Sequence, residues 1–308
     1  MEALNKKLYL TAESGDVDLA QDCLRKGANV HYKDDDGRTP LHWAAVKGKT
    51  DVTKVLLEAG ASVSAVEKLG QTPLHWAAWG GYIEVTKVLL EAGASLSAVN
   101  SEGCTPLHLS AWHGKTGVTN VLLEAGASLS AVNCEGRTPL HWAAGMGRTD
   151  VTKVLIGAGA SVSAVDYDSR TPLHKAAEGG HTEVTMVLLA AGASLSAVAI
   201  HGWTPLHLAA VAGKTEVTKV LVEAGASLSA VDNEDKTSLH VAAWGGHIEV
   251  TKVLVEAGAS LSAVDNEDRT PLRQAVKEGK IEVIKVLVEA EASVSAVDKL
   301  DQGKGSQE

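Results

Sequence analysis

Cysteine is scarce in this chain, and the little present is poorly placed for chemistry. Cys23, Cys104 and Cys134 are an odd number in no zinc-like spacing, which argues against a disulfide framework and against a structural metal site. Positive charge is also short: 28 Lys and Arg stand against 38 Asp and Glu, a net charge of −10. Such a surface repels phosphate backbones and anionic lipid, so neither a nucleic acid nor a membrane is the expected partner. No uncharged apolar run approaches the length of a membrane-spanning helix, and the opening MEALNKKLYLTAESGD lacks the apolar core of a secretory signal. A reducing cytoplasm is the expected location. Also missing are a Gly-x-Ser-x-Gly elbow, a Walker-type phosphate loop and a His-Glu-x-x-His pair. No catalytic residue, metal or cofactor is expected, and the chain reads as a non-enzyme.

What the chain has in abundance is repetition. Thr-Pro-Leu-His recurs at Thr39, Thr72, Thr105, Thr138, Thr171 and Thr204, and Thr237 (TSLH) and Thr270 (TPLR) continue the 33-residue period. Residues 34–297 form eight such units, residues 1–33 keep the phase without the motif and read as an N-terminal cap, and 298–308 read as a tail. Within one unit Thr39 is a good N-cap and Pro40 a good first helical residue. Gly48 can end that helix, Thr50 can cap a second, and Gly60 can stop it. Val52, Val55 and Leu56 share one side of the second helix, with Asp51, Lys54 and Glu58 opposite. Neither helix is long enough to stand alone, so each pair must bury its apolar side against the next. The stretch ASVSAVEKLGQ reads as an extended finger between units. In later units the finger glycine becomes Ser169, Asp235, Asp268 and Asp301, and Glu291 replaces the last helix-stopping glycine. The final unit is expected to be the least regular, with a residue forced into the left-handed conformation.

TPLHWAA, the Gly-x-x-[DE]-V core and the LLEAGA helix end, repeated at this period over roughly residues 5–300, closely resemble ankyrin repeats. The resemblance implies an all-α solenoid of stacked helix-turn-helix units with projecting β-hairpin or loop fingers, whose concave face binds another protein. Here the fingers carry Ser-Leu-Ser-Ala or Ser-Val-Ser-Ala where the family has Asp-Val-Asn-Ala.

The repeated histidines, His42 through His240, invite a metal reading, but neighbouring helix pairs lie roughly 8–10 Å apart and zinc needs ligands at about 2 Å. Hydrogen bonding around the turns is the expected role. If repeated letters build the scaffold, specificity must lie where copies disagree. The family pattern places the fingertips and first-helix ends on the concave side, and there stand Trp79, Trp112, His113, Arg137, Met146, Tyr167, Arg170, Trp203 and Trp244, the candidate partner contacts. Trp43, Trp76 and Trp142 occupy a site where other copies have Leu109, Leu208 or Val241, and are expected in the core between units. Trp112 and Trp203 are expected to be dispensable for folding. The row Val66, Val99, Val132, Val165, Val198, Val231, Val264 and Val297 is expected to pack within and between fingers. Cys104 and Cys134 are expected as free thiols on adjacent fingertips. The function expected is that of a monomeric protein-interaction scaffold. The alternatives are an effector of an intracellular microbe acting on host proteins, or a structural spacer.

Overall fold

A Thr-Pro pair decides where each first helix begins. In the computed structural model of the chain, which describes residues 1–304 and side chains through residue 292, Thr39 is extended (φ −93°, ψ 167°) and Pro40 is the first helical residue. Proline is tolerated there because the first helical N–H needs no partner within the helix. The chain divides into two units. The first, Met1–Ser161, holds α1 (Glu2–Ser14), α2 (Val17–Arg25), α3 (Pro40–Val46), α4 (Thr50–Glu58), α5 (Pro73–Gly80), α6 (Ile83–Glu91), α7 (Pro106–Trp112), α8 (Thr116–Glu124), α9 (Pro139–Gly145) and α10 (Thr149–Gly157). The second, from Val162 onward, holds α11 (Pro172–Gly179), α12 (Thr182–Ala190), α13 (Pro205–Val211), α14 (Thr215–Glu223), α15 (Ser238–Gly245), α16 (Ile248–Glu256), α17 (Pro271–Lys277) and α18 (Ile281–Lys304). Within each unit, first helices pack on first helices and second on second, giving two layers: α1, α3, α5, α7 and α9 against α2, α4, α6, α8 and α10, then α11, α13, α15 and α17 against α12, α14, α16 and α18. No helix among the described residues is long and apolar enough to cross a membrane.

The core runs between the layers. Leu41, Leu74, Leu107, Leu140, Leu173, Leu206 and Leu239 of the Pro-Leu-His motif are fully buried, together with Leu56, Leu89, Leu122, Leu155, Leu188, Leu221 and Leu254 of the second helices. Paired alanines such as Ala44 and Ala45 are equally buried and let neighbouring first helices approach closely. Truncating one of these leucines to alanine costs about 2–5 kcal/mol. Buried Thr53, Thr86, Thr185, Thr218 and Thr251 of the second helices bond back to the carbonyl four residues before, Thr53 to Lys49 at 2.8 Å. Thr119 instead donates to Ser110 at 3.0 Å, because this copy has serine where others have alanine.

The glycine stops behave as the local sequence predicts: Gly48 and Gly60 hold φ of 66° and 87°. Thr50 does not cap the second helix. It is the first helical residue, preceded by Lys49, which makes no side-chain cap bond. The fingers are tight turns, and no strand forms among the described residues beyond an isolated bridge between Val231 and Thr237. An acidic or amide side chain replaces the strand ladder as organiser. Asp34 Oδ1 accepts the Asp36 and Arg38 N–H groups at 3.0 and 2.8 Å, and Glu67, Asn100, Asn133, Asp166, Asp232 and Asp265 do the same in their fingers. Within each unit adjacent fingers are tied by one backbone bond, such as Lys68 N–H to Asp36 O at 2.9 Å and Ser101 N–H to Leu69 O at 2.8 Å. Ser169, Asp235 and Asp268, standing where other copies have glycine, take left-handed φ of 57°, 59° and 57°, a conformation that costs an L-residue about 1 kcal/mol. Glu291 escapes that cost: α18 continues through it to Lys304, so the last unit ends in an extended helix and no helix stop forms. Residues 305–308 of the expected tail lie outside the described residues.

Within each unit a motif histidine joins its own helix to the next repeat. His42 Nδ1 accepts the Thr39 N–H at 3.0 Å, which places the ring proton on Nε2. The Nε2 protons of His42, His75, His108, His174, His207 and His240 go to the carbonyls of Gln71, Cys104, Arg137, Trp203, Lys236 and Arg269, at 2.9–3.1 Å. Protonating a ring would replace its Nδ1 acceptor by a donor facing a backbone N–H. Burial, the dominant cause, pushes His42, His108 and His174 down from 6.5 to about 4, and His75, His207 and His240 in the same direction. Since the unfolded chain then binds protons more readily than the folded one, stability is complete above the unfolded value of 6.5 and is lost as pH falls towards about 4. At about 1.4 kcal/mol per pH unit, His42, His108 and His174 each contribute up to roughly 3 kcal/mol of this loss. The urea midpoint is therefore expected to fall steeply between pH 6.5 and 4. A flat profile across that window would contradict the buried neutral imidazoles.

Candidate functional site

The fingers and the ends of the first helices share one face in each unit, and the large variable side chains gather there. In the first unit, Trp76 and Trp79 meet edge to face at 6.0 Å, Trp79 meets His113 at 5.4 Å, His113 lies parallel to Trp112 at 5.8 Å, and Trp112 stacks on Trp142 at 4.2 Å and 10°. Five rings from three successive repeats thus form one continuous row. Arginines sit at both ends. Arg38 lies over Trp43 and Trp76, 5.4 and 5.2 Å from their centroids, and Arg137 lies over Trp142 at 5.4 Å, distances at which a guanidinium is drawn to the indole face. Arg38, His42, Trp43, Val46, Lys47, Trp76, Trp79 and Tyr82 line a cavity of about 420 Å³. Burial, followed by the nearby charges of Lys115 and Arg148, lowers the pKa of His113.

Several sequence expectations need correction here. Trp43, Trp76 and Trp142 are half-buried members of this face, whereas Leu109, Leu208 and Val241 at the equivalent position are buried. An indole is too large to fit wholly between two repeats, so its outer edge stays at the rim. Trp112, expected to be dispensable for folding, is half-buried and stacks on the next repeat. Trp203 is also half-buried and donates its indole N–H to Asp232 of the next finger at 3.0 Å. The valine row does not pack away: Val66, Val99, Val132, Val165, Val198, Val231 and Val264 are 47–57% exposed, while the Val297 side chain lies outside the described residues. Cys104 is buried at the finger base, and burial pushes its thiol up to about 11. Only Cys134 is exposed, and all three thiols are free.

The remaining candidates divide between the units. Trp79 is 42% exposed, and Met146 follows the end of α9 and is also exposed. In the second unit, Trp203 and Trp244 line a separate cavity of about 420 Å³ with His201, Asp232, Glu234 and Lys236. Trp244 is 51% exposed there, and Tyr167 stands out at its fingertip at 70%. Arg170 turns inward to Glu178 at 3.3 Å. Among the described residues no three His, Cys, Asp or Glu side chains converge on a metal site.

Sequence reading missed a second row. In the eight motif-bearing repeats the residue before the second helix runs Lys49, Tyr82, Lys115, Arg148, His181, Lys214, His247 and Lys280, never acidic, and that uniform chemistry was the available signal. Within each unit these side chains lie across the first-helix end of the preceding repeat. A methyl added to Gly81 or Gly114 would stand 2.8 Å from Lys115 Cδ or 2.9 Å from Arg148 Cδ. Arg148 Nε donates to the Trp112 carbonyl at 2.9 Å and His247 Nε2 to the Val211 carbonyl at 2.8 Å. A cation or donor here satisfies carbonyls that the helix leaves open and meets the negative end of its dipole.

The family model for ankyrin repeats matches residues 8–100, 93–166, 158–232 and 225–298, nearly the whole chain. No curated protein matches it.

Two donors within the aromatic row, the indole N–H groups of Trp76 and Trp142, are buried without an acceptor. Asp34 offers its second oxygen to Trp43 Nε1 at 3.2 Å, but Asn133 spends its only oxygen on two finger N–H groups and leaves the equivalent Trp142 Nε1 buried without a partner. Asn133→Asp is expected to stabilise the fold by about 1 kcal/mol by supplying that oxygen. Urea unfolding of the two chains at neutral pH checks this, and a lowered midpoint would count against the mismatch.

Proposed function

The chain belongs to the ankyrin-repeat family, and from that premise we propose that it is a monomeric protein-binding scaffold without catalysis of its own, engaging its partner through the concave face of fingers and first-helix ends. Ankyrin repeats in general serve as protein-interaction scaffolds. The observation that carries the reading for this chain is the row Trp76, Trp79, His113, Trp112 and Trp142. Indoles at the rim of a groove bury much apolar area at little entropic cost, and such residues dominate interface energy. Trp244 and Tyr167 extend the same chemistry to the second unit. Exposure of these rings speaks against a mere spacer, which has no use for large apolar groups in water. Three unpaired cysteines agree with a reducing, cytoplasmic setting.

Affinity capture with mass spectrometry tests the proposal, comparing the intact chain with Trp79→Ala/Trp244→Ala and with Met186→Ala, whose side chain is exposed on α12. Proteins retained by the intact chain and by Met186→Ala are expected to be lost from the double variant, since anchor truncations cost about 2 kcal/mol or more each. Retention of the same proteins by the double variant, with an unchanged melting temperature, would overturn the concave-face assignment.

A further inference from the structure

The aromatic groove of the first unit is rich in donors and cations although the chain as a whole is acidic. Arg38 pairs with Asp36 at 3.4 Å, Lys47 with Glu13 at 2.9 Å, and Arg137 with Glu135. Lys115 and Arg148, which cross the helix ends beside Trp79 and Trp112, meet no carboxylate among the described residues. The groove therefore has positive charge and N–H groups left over, while its carboxylates are engaged. Trp79 and Trp112 stand at equivalent positions of adjacent repeats, one helix-pair step apart, or roughly 8–10 Å.

Resting on the protein-binding reading above, we propose that this groove takes an extended, acidic, proline-rich segment of a partner protein, held in the polyproline II conformation. Three residues of that conformation span about 9.3 Å, so every third residue meets the next repeat in the same orientation. A β-strand returns to the same face only every ~6.7 Å and falls out of step. An α-helix keeps its backbone carbonyls to itself and offers a donor-rich groove little. A proline-rich strand is the complementary surface: its carbonyls are open acceptors, it carries few N–H groups of its own, and its rings pack flat on indoles. Carboxylates on the strand meet Lys115 and Arg148, and the row of rings supplies the apolar floor. Little ordering entropy is lost on binding, because the segment is already extended when free.

The test titrates the full chain into fluorescently labelled peptides of repeated Glu-Pro-Pro triplets, with Lys-Pro-Pro and Glu-Ala-Ala peptides of equal length as comparisons. The Glu-Pro-Pro peptide is expected to bind about tenfold more tightly than either, and Trp79→Ala and Lys115→Glu each to weaken it about tenfold. Met186→Ala should leave it unchanged, and melting temperatures should confirm that all variants are folded. Equal binding of Glu-Ala-Ala would reduce the interaction to charge alone and overturn the proposal, as would no saturable binding or indifference to Trp79→Ala. Selection of random displayed peptides on the intact chain, counter-selected on Trp79→Ala, separates the two readings. Trp79-dependent peptides without proline would reject the polyproline strand and keep the binding face, whereas no Trp79-dependent enrichment would remove both.

Discussion

A buried imidazole bonded at both nitrogens is the contact on which the rest of the molecule depends. Nδ1 closes the turn in which Thr39 hands the chain to Pro40, and Nε2 reaches the finger base of the following repeat at Gln71. One side chain therefore fixes the helix start within a repeat and the spacing to its neighbour. A leucine would leave a buried N–H and a buried carbonyl unpaired, a loss of about 1–3 kcal/mol for each. Repeated along each unit, the bond sets a constant step between helix pairs. Once that step is constant, the leucines and paired alanines of successive copies meet in the same register, and one short motif suffices for every interface.

A scaffold built this way leaves its variation at the edges. The position after the motif histidine shows the consequence. Leucine or valine there is buried, but tryptophan is pushed partly to the rim, where Trp43 and Trp142 meet the arginine of their own finger and Trp142 stacks on Trp112 of the preceding repeat. Binding surface and packing surface are then not separate sets of residues. Trp112 presents a ring edge to solvent while its face stacks on Trp142, so any partner engages a row whose geometry the fold has already set. The finger acids tell a related story. Asp34, Asp166, Asp232 and Asp265 carry one oxygen to shape the turn and a second that serves a nearby Trp, Lys or Arg. Where asparagine stands instead, the turn survives and the second service is lost.

The sequence by itself determined the repeat, the starts of its first helices, its glycine stops and the family. These are local matters: Thr-Pro, a left-handed glycine and a one-sided apolar stripe act within a few residues and need no neighbour to be read. Tertiary structure alone decided whether a side chain at a given phase is core, rim or bridge. Trp142 and Leu109 share a phase and differ in burial because an indole exceeds the gap between two repeats. Trp203 became a tie to the next finger because Asp232 lies within its reach, a distance invisible along the chain. The valines at the finger edge resemble core letters, yet the turns turn them outward, for no strand ladder forms to cover them. Glu291 was legible as a missing stop, and the helix runs on through it, since continuing costs less than a left-handed glutamate.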